Sequence, residues 1–373
     1  MAKKIRQPDT LNDNLLERAV RHQIYILKFG TGLANRIEAQ LAHAVPDVAA
    51  LIARRMTAIS QRGFDRGPTT TRRLLALQAS LGGLLDDAYK DSYQAIKSEL
   101  TDLAKAEGAF QVGVVTSEAP IRVNMVMPST ALLSSIVTSR PFDGKLLREW
   151  YAQLKDKQKK GVKRALNLGL IEGDDVEAMT RRIIGTRANF YRDGVLDAPR
   201  HEARMVVRTA VNHVSTHARQ TVFEANQNVI RGIKIVATLD NRTTPICRFQ
   251  DGRVYPVDGG PRPPFHPNCR TTITVVLKSW RDMGVNAREM PTGARAAMGG
   301  EVPADVTYTD FFPRQSRAFQ REVLGKTRYV LYRTGKLGSD VNRFSDQHGR
   351  LYKLDELFDR ERDAFEAAGV SRP

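Results

Sequence analysis

The chain has 373 residues, of which 41% are hydrophobic and 27% are charged, and its formal net charge is +17. This balance is typical of an ordered protein and excludes a largely disordered chain. We expect no membrane span, because no apolar run approaches the roughly 18 residues that cross a bilayer. We expect synthesis and assembly in the cytoplasm, because no signal-peptide core follows the first residues.

Apolar residues at three- and four-residue steps predict long helices in the N-terminal part of the chain. One pattern covers residues 11–56, with a break predicted at Gly30 and Gly32, and a second covers residues 69–108. Residues 109–128 are rich in β-branched side chains in short alternations. They predict one or two strands or an extended arm.

Helical periodicity resumes in the middle of the chain over residues 145–168. Gly173 is a predicted stop and Asp175 a predicted N-cap for a short helix that ends at Ile184. A further helix is predicted over residues 199–228. Beyond it, two β-rich segments flank a loop and predict strands that can pair.

These patterns predict a mostly helical α+β protein in three segments. Residues 1–145 form a helical N-terminal unit with an extended arm. Residues 146–280 form a domain of helices and a small antiparallel sheet, with the strands at 229–240 and 271–277. Residues 281–373 form a glycine- and proline-marked linker and a short helical tail.

Both cysteines of the chain lie in the loop between the two predicted strands, residues 238–270, which we call the signature loop. Cys247, His266 and Cys269 supply three of the four ligands that a zinc ion needs. The many prolines and glycines between them exclude a continuous helix. A disulfide, or a buried cysteine pair beside a hydrogen-bonded histidine, are the alternatives to a metal.

A fourth metal ligand is harder to assign from the sequence. Asp240 is our choice, and Asp251 or the pair His213 and His217 are the other candidates. The two histidines resemble half of a zincin site, but Val214 stands where such a protease needs its glutamate. We therefore expect them to be ordinary exposed histidines of a helix.

Three arginines have a predicted structural role near these carboxylates. Arg242 and Arg270 can form bidentate hydrogen bonds to Asp240 or Asp251 and so hold two loop segments together, and Arg208 can do the same from the preceding helix. This interpretation is favoured over a phosphate-binding role, which the basic surroundings keep open.

Several blocks of this region resemble the signature of the phage Mu protein F-like family. They are TLDNRTTPIC from Thr238, DGRVY from Asp251 and Gly252, and PFHPNCR from Pro264. The sequence VRTA from Val207, on the helix that leads into the signature, agrees with the same family. The resemblance extends over about residues 146–277.

The resemblance implies a minor head protein of a tailed bacteriophage that acts in head morphogenesis. It implies a position in the virion head near the portal vertex, with the portal protein, the major capsid protein or both as partners and with assembly in the host cytoplasm. In this interpretation the signature loop is structural, zinc is the candidate cofactor, no catalytic residue is assigned, and the protein is not an enzyme.

The positive charge predicts contact with double-stranded DNA through its phosphates. Residues 151–280 carry 22 basic and 12 acidic side chains, and this excess of positive charge is more than half of the net charge of the chain. The densest run consists of Lys155, Lys157, Lys159, Lys160, Lys163 and Arg164. The alternative is a solvated helix face without a ligand.

Two other functions remain open at this point. A metal-dependent nuclease can use Asp240, Arg242, Asp251 and His266 as ligands, phosphate clamp and base. Against it, the chain shows no second carboxylate cluster and no compact His-Asn-His order. A DNA-binding module without catalysis is the second alternative.

Overall fold

The computed structural model describes residues 10–60, 68–119, 122–279, 281–283, 293–335, 337, 340–346 and 348–373. These residues form a mostly helical α+β protein, as predicted. The helices are α1 (Thr10–Ala42), α2 (Ala44–Ser60), α3 (Pro68–Glu118), α4 (Thr130–Ser139), α5 (Leu147–Glu172), α6 (Val176–Ile184), α7 (Ala198–Glu224), α8 (Pro245–Gln250), α9 (Tyr308–Phe311), α10 (Arg317–Thr334), α11 (Leu354–Arg360) and α12 (Arg362–Ala367). The strands are β1 (Ile230–Val236), β2 (Val254–Tyr255), β3 (Thr272–Leu277), β4 (Ala294–Ala297) and β5 (Gly300–Pro303).

The chain divides into two compact units. Unit 1 contains Met1–Ile26, Ala106–Ser129 and Ser215–Pro373, and unit 2 contains Leu27–Lys105 and Thr130–Val214. The divisions fall inside α1, α3 and α7, so each unit is assembled from separate chain segments. The three segments predicted from the sequence are consecutive stretches of chain, and their boundaries stay predictions.

Unit 2 has a helical core made by α2, the first part of α3, α5 and α6. Val48, Ile52 and Leu81 are among its buried side chains, together with Leu166 of α5 and Ile183 of α6. The apolar stripes of the two predicted N-terminal helices therefore pack together as their spacing indicates.

The helix boundaries in unit 2 follow the predicted caps. Gly173 ends α5 with φ of 76°, a left-handed conformation that glycine adopts at little cost, and its N–H donates to Gly169. Asp175 begins α6 by accepting a hydrogen bond from the Ala178 backbone at 2.7 Å. Both predictions are confirmed.

The break predicted at Gly30 and Gly32 is wrong, because α1 is continuous through both residues. A Cβ atom at Gly30 would lie only 3.3 Å from Cγ1 of Val211 on α7. The absence of a side chain lets α1 and α7 approach closely within unit 2, which outweighs the low helix propensity of glycine.

One or two strands or an extended arm were predicted within residues 109–128, but α3 continues to Glu118 and the described residues of this segment form no strand. Val115 is completely buried in the core of unit 1, so packing decides the conformation of this β-branched segment. Residues 122–129 form neither a helix nor a strand. There the side chain of Asn226 hydrogen-bonds both the N–H and the carbonyl of Val126.

Unit 1 contains a three-stranded antiparallel sheet in the order β2-β1-β3. Lys234 pairs with Thr274 and Ile235 with Ile273, and every residue of β3 is buried. The predicted pairing of the two strands that flank the signature loop is confirmed. Buried residues of α1, α3 and α7 complete this core.

The segment predicted as a linker contains an antiparallel hairpin, β4 and β5. Gly299 and Gly300, two of the glycines that predict the linker, have positive φ angles at the hairpin turn. Beyond the hairpin, the C-terminal helices build a second apolar core within unit 1, and Leu239 of the signature loop is part of it. The tail thus packs on its own unit.

A fully buried ion pair lies inside unit 1. Nε of Arg219 on α7 is 2.6 Å from Oε1 of Glu107 on α3, and both side chains have no exposed surface. His22 and Gln111 also hydrogen-bond the Glu107 carboxylate, at 2.8 and 2.7 Å. Burial alone would raise the pKa of Glu107, but Arg219 and His22 lower it to about 2.

Candidate metal centre

The signature loop brings its two cysteines and its histidine together. Pro245 opens the short helix α8, which carries Cys247. The other two residues lie on a tight turn, where the N–H of Cys269 donates to the carbonyl of His266 at 3.1 Å. Asn268 occupies the left-handed region in this turn with φ of 57°, a conformation that asparagine tolerates.

The three side chains converge on a small volume. Sγ of Cys247 lies 3.7 Å from Sγ of Cys269 and 3.2 Å from Nε2 of His266. All three ligand atoms lie within 4.8 Å of one another. Both cysteines are buried among Ala237, Ile246 and Phe265, whereas His266 is partly exposed.

These distances agree with a tetrahedral metal site. Two zinc–sulfur bonds of about 2.3 Å at a tetrahedral angle place the sulfurs about 3.8 Å apart. A disulfide needs about 2.05 Å, and both cysteines are free thiols in the structure. The predicted cluster can therefore bind a metal ion, and the disulfide alternative is not formed.

The histidine is oriented by its own backbone neighbour. Nδ1 of His266 donates to the carbonyl of Pro267 at 2.8 Å. A carbonyl oxygen only accepts, so the ring proton belongs on Nδ1, and the lone pair of Nε2 faces the two sulfurs. Thr244 Oγ1 also lies 3.0 Å from Nε2.

The two thiols have different acidities. The hydrogen bond from Cys247 lowers the pKa of the Cys269 thiol, and the nearby His266 acts in the same direction. The pKa of Cys247 is raised by that same contact and by burial. The pKa of His266 is raised because its ring hydrogen-bonds to Cys269. Zinc binding requires both thiols to be deprotonated and the imidazole to be neutral, so a bound metal would displace the protons of Cys247 and Cys269.

Asp240, our predicted fourth ligand, lies outside this group. Its two carboxylate oxygens accept bidentate hydrogen bonds from Arg270, at 2.5 and 2.7 Å, and Thr243 and the Arg242 backbone add two more. Burial alone would raise the pKa of Asp240, but the Arg270 contact outweighs it and lowers the pKa. The carboxylate is thus committed to a salt bridge, as the structural role predicted for Arg270 requires.

Asp251, the other candidate ligand of the loop, is committed as well. Its Oδ1 accepts from the Ala237 backbone and from Arg295, each at 2.7 Å, and its Oδ2 accepts from the Tyr308 backbone at 2.7 Å. Gly252, the next residue, has φ of 77°, and a Cβ there would lie 2.7 Å from Cγ2 of Thr307. The ion pair between Asp251 and Arg295 joins the signature loop to the C-terminal segment.

Part of the chain is similar to a known protein family. Residues 160–274 match the model of the family described as Phage Mu protein F like protein. Over this region, which we call the Mu F-like region, the chain is similar to the phage Mu protein F-like family. No curated protein and no solved structure matches the chain. The family points to a phage head morphogenesis protein of the virion, with capsid- or portal-type partners.

The Mu F-like region contains all three residues of the cluster and both strands that carry the loop, β1 and the first half of β3. Among the described residues, no helix is long and apolar enough to cross a membrane. The region also includes α6, α7 and the second half of α5, so it extends through parts of both units.

Arg242 and Arg208 do not join the carboxylate network of the Mu F-like region. Arg242 is exposed, and only its backbone N–H contacts Asp240. Arg208 is half-buried on α7 in unit 2, and its Nε has no hydrogen-bond partner among the described residues. Arg295, which does bind Asp251, was missed because it lies in the predicted linker.

The helix histidines of the Mu F-like region are not the exposed pair that was expected. His213 is buried, its Nε2 lies 3.2 Å from the carbonyl of Arg140, and its ring packs against Phe142 with 5.3 Å between the centroids. His217 is partly buried. Packing against an aromatic side chain and a backbone carbonyl explains His213 without a metal.

The predicted DNA-binding residues lie on α5 in unit 2, and half of them are paired. Asp86 forms ion pairs with Lys155 at 3.1 Å and with Lys159 at 2.8 Å, and Glu202 forms one with Lys157 at 2.5 Å. The remaining cations form no ion pair with any described residue: Lys160, Lys163 and Arg164. We call these three the free α5 cations.

A groove of about 1010 Å³ runs beside the free α5 cations within unit 2. Lys160 and Arg164 line it, and Ala165, Leu168 and Val195 provide apolar surface. Lys160 and Lys163 also line a smaller neighbouring cavity of about 180 Å³. Two of the free α5 cations therefore line each of these adjoining depressions, and Glu149 and Asp156 also line the larger one.

Proposed function

We propose that this protein is a minor head protein that acts in phage head morphogenesis at the portal vertex and contacts the packaged double-stranded DNA. The observation that carries the proposal is the family match over residues 160–274, which contains the whole Cys/His cluster, β1 and the first half of β3. The portal position and the DNA contact are our extension of the family's role.

The free α5 cations support the DNA contact. Cations without an acidic partner can exchange their counterions for phosphates, which is the main source of affinity in non-specific DNA binding. The partly neutralised Lys155, Lys157 and Lys159 already interact with carboxylates. In the proposed contact, only the free cations bind phosphate directly.

We propose that the Cys/His cluster holds a structural zinc ion through Cys247, Cys269 and Nε2 of His266. A bound zinc ion would supply a cross-link between α8 and the turn before β3, which no continuous secondary structure joins. The fourth position would be filled by water or by a small neighbouring oxygen ligand.

The carboxylates near the cluster support a structural site rather than a nuclease. A metal-assisted hydrolase needs a free base or further acidic ligands. Asp240 is bound by Arg270, and Asp251 by Arg295 and two backbone N–H groups. In this proposal the protein performs no catalysis, and both carboxylates serve the loop.

The proposal is tested by quantitative mass spectrometry of purified particles and of portal protein captured from assembling lysate. We expect the protein in both samples at a low and fixed ratio to portal. Presence in particles without portal capture would reject the portal position but keep the head assignment. Absence from particles and from the portal sample would overturn the proposed function.

A further inference from the structure

A closed loop after α6 presents two aromatic side chains to solvent. It consists of residues 186–193 in unit 2, and we call it the aromatic loop. Phe190 is 81% exposed and Tyr191 is 42% exposed. A phenyl ring so far out of the core contributes little to folding, which makes its position informative.

The neck of the aromatic loop is closed by two glycines. A Cβ at Gly194 would lie 2.3 Å from the backbone nitrogen of Gly185, and a Cβ at Gly185 would lie 2.8 Å from the backbone nitrogen of Gly194. Gly185 also has φ of 91°. Only residues without a side chain permit this approach, so the loop has a fixed base.

Asp193 holds the inside of the aromatic loop. Its carboxylate accepts from the backbone N–H and the hydroxyl of Thr186, each at 2.7 Å, and from the side-chain amide of Asn189 at 2.8 Å. These hydrogen bonds lower the pKa of Asp193 to about 2, with the Asn189 contact as the largest cause. The carboxylate is occupied within the loop.

The two aromatic residues adopt a conformation that side chains rarely take. Phe190 has φ of 54° and Tyr191 has φ of 60°, both in the left-handed region. Such a conformation in residues other than glycine persists when the surrounding structure enforces it, and it is typical of binding sites. Here the closed neck and Asp193 enforce it, so the backbone that presents the two rings to solvent is held in place before any ligand arrives.

The charge around the rings is positive. Arg187 and Arg192 flank them and form no ion pair with any described residue. Asp193 is the one acidic residue of the loop, and its carboxylate is engaged by Thr186 and Asn189. The aromatic loop therefore combines exposed ring faces with free guanidinium groups.

We propose that the aromatic loop is a stacking platform for single-stranded nucleic acid. Unpaired bases can stack on the rings of Phe190 and Tyr191 while Arg187 and Arg192 bind phosphates, a combination used by proteins that bind single strands without sequence preference. In duplex DNA the base faces are covered by their neighbours, so the rings add nothing to duplex binding. This inference rests on the proposed DNA contact. It adds the aromatic loop as a second site beside the free α5 cations, and it names single strands as the form of nucleic acid that the loop prefers.

The proposal is tested with the full-length protein by fluorescence anisotropy, using labelled oligothymidylate and a labelled duplex at one salt concentration. The test variant is Phe190→Ala, which should fold normally because the Phe190 ring lies outside the core. Tyr25→Ala is the matched control, because Tyr25 is a 60% exposed aromatic residue on α1 in unit 1.

We expect Phe190→Ala to weaken oligothymidylate binding about tenfold, as the absence of one stacked base predicts, and to leave duplex binding unchanged. Tyr25→Ala should change neither. If the unmodified protein binds the duplex and Phe190→Ala leaves oligothymidylate binding unchanged, the stacking platform is overturned. The proposed DNA contact is kept in that case. Equal weakening of both ligands also overturns it.

Two further outcomes separate this inference from the proposed function. If Phe190→Ala no longer captures portal or capsid protein while its DNA binding is intact, the loop belongs to a protein partner and the stacking platform is overturned. If the unmodified protein binds neither nucleic acid, the proposed DNA contact is removed together with this inference.

Discussion

Cationic side chains are used differently in the buried ion pairs of unit 1 and on the α5 face of unit 2. Arg219 and Arg295 are buried, and their charges are matched by Glu107 and Asp251. On α5 the pairs with Asp86 and Glu202 are partly exposed and leave neighbouring cations free. Of the 58 basic side chains, Arg219 and Arg295 are therefore not accessible to a polyanion, because their charges are matched inside the protein.

The largest effect is expected from breaking the buried pair of unit 1. Arg219→Met leaves the Glu107 carboxylate buried without its main partner, so the free energy of unfolding should fall by about 3–5 kcal/mol in urea denaturation. Arg21→Met is the control. Arg21 forms only exposed pairs with Glu17 and Glu301, and its replacement should cost less than about 1 kcal/mol. Similar destabilisation in the two variants would contradict the contrast between buried and exposed pairs.

Metal removal should give the next largest effect. If zinc is present at about 100 times its dissociation constant, it adds about 2.7 kcal/mol to stability, which a chelator should abolish. Metal analysis of the purified protein should find one zinc per chain, and Cys247→Ser should abolish it. Asp240→Asn should retain the metal, because Asp240 lies outside the cluster. If Cys247→Ser kept its full metal content, the metal would not be bound by Cys247, His266 and Cys269.

Neutralising the free α5 cations should change DNA binding and leave stability almost unaltered. In the triple variant Lys160→Gln, Lys163→Gln and Arg164→Gln, the slope of log affinity against log salt for duplex DNA should fall by about 0.9 for each phosphate that the variant no longer neutralises. The matched triple variant of the paired residues Lys155, Lys157 and Lys159 should reduce the slope less. The reverse order would show that the paired residues are the ones that meet phosphate.

The sequence was sufficient where local chemistry decides the structure. Gly173 and Asp175 act as the predicted cap residues, and the two strands beside the signature loop pair as expected. The convergence of Cys247, His266 and Cys269 was also predictable, because a proline-rich loop closed by two paired strands brings its ends together.

The remaining features depend on contacts between distant parts of the chain. Gly30 lies inside a continuous helix at a close approach to Val211, and the β-branched Val115 is helical in the core of unit 1. The role of Arg295 was not visible, since it lies 44 residues from Asp251 in a segment rich in helix-breaking residues. The exposed position of Phe190 likewise goes with a positive φ angle, which the hydrophobic periodicity of the sequence does not predict.

The Asp251–Arg295 pair bears on how this family region can be moved between proteins. The match ends at residue 274, yet the partner of Asp251 lies beyond that end, and the partner of Arg219, Glu107, lies before its start at residue 160. A chimaera cut at the limits of sequence similarity would separate two buried carboxylate–guanidinium pairs. A functional chimaera therefore has to include α3 and the β4–β5 hairpin together with residues 160–274. The segment that can be exchanged between proteins is larger than the segment that is similar in sequence.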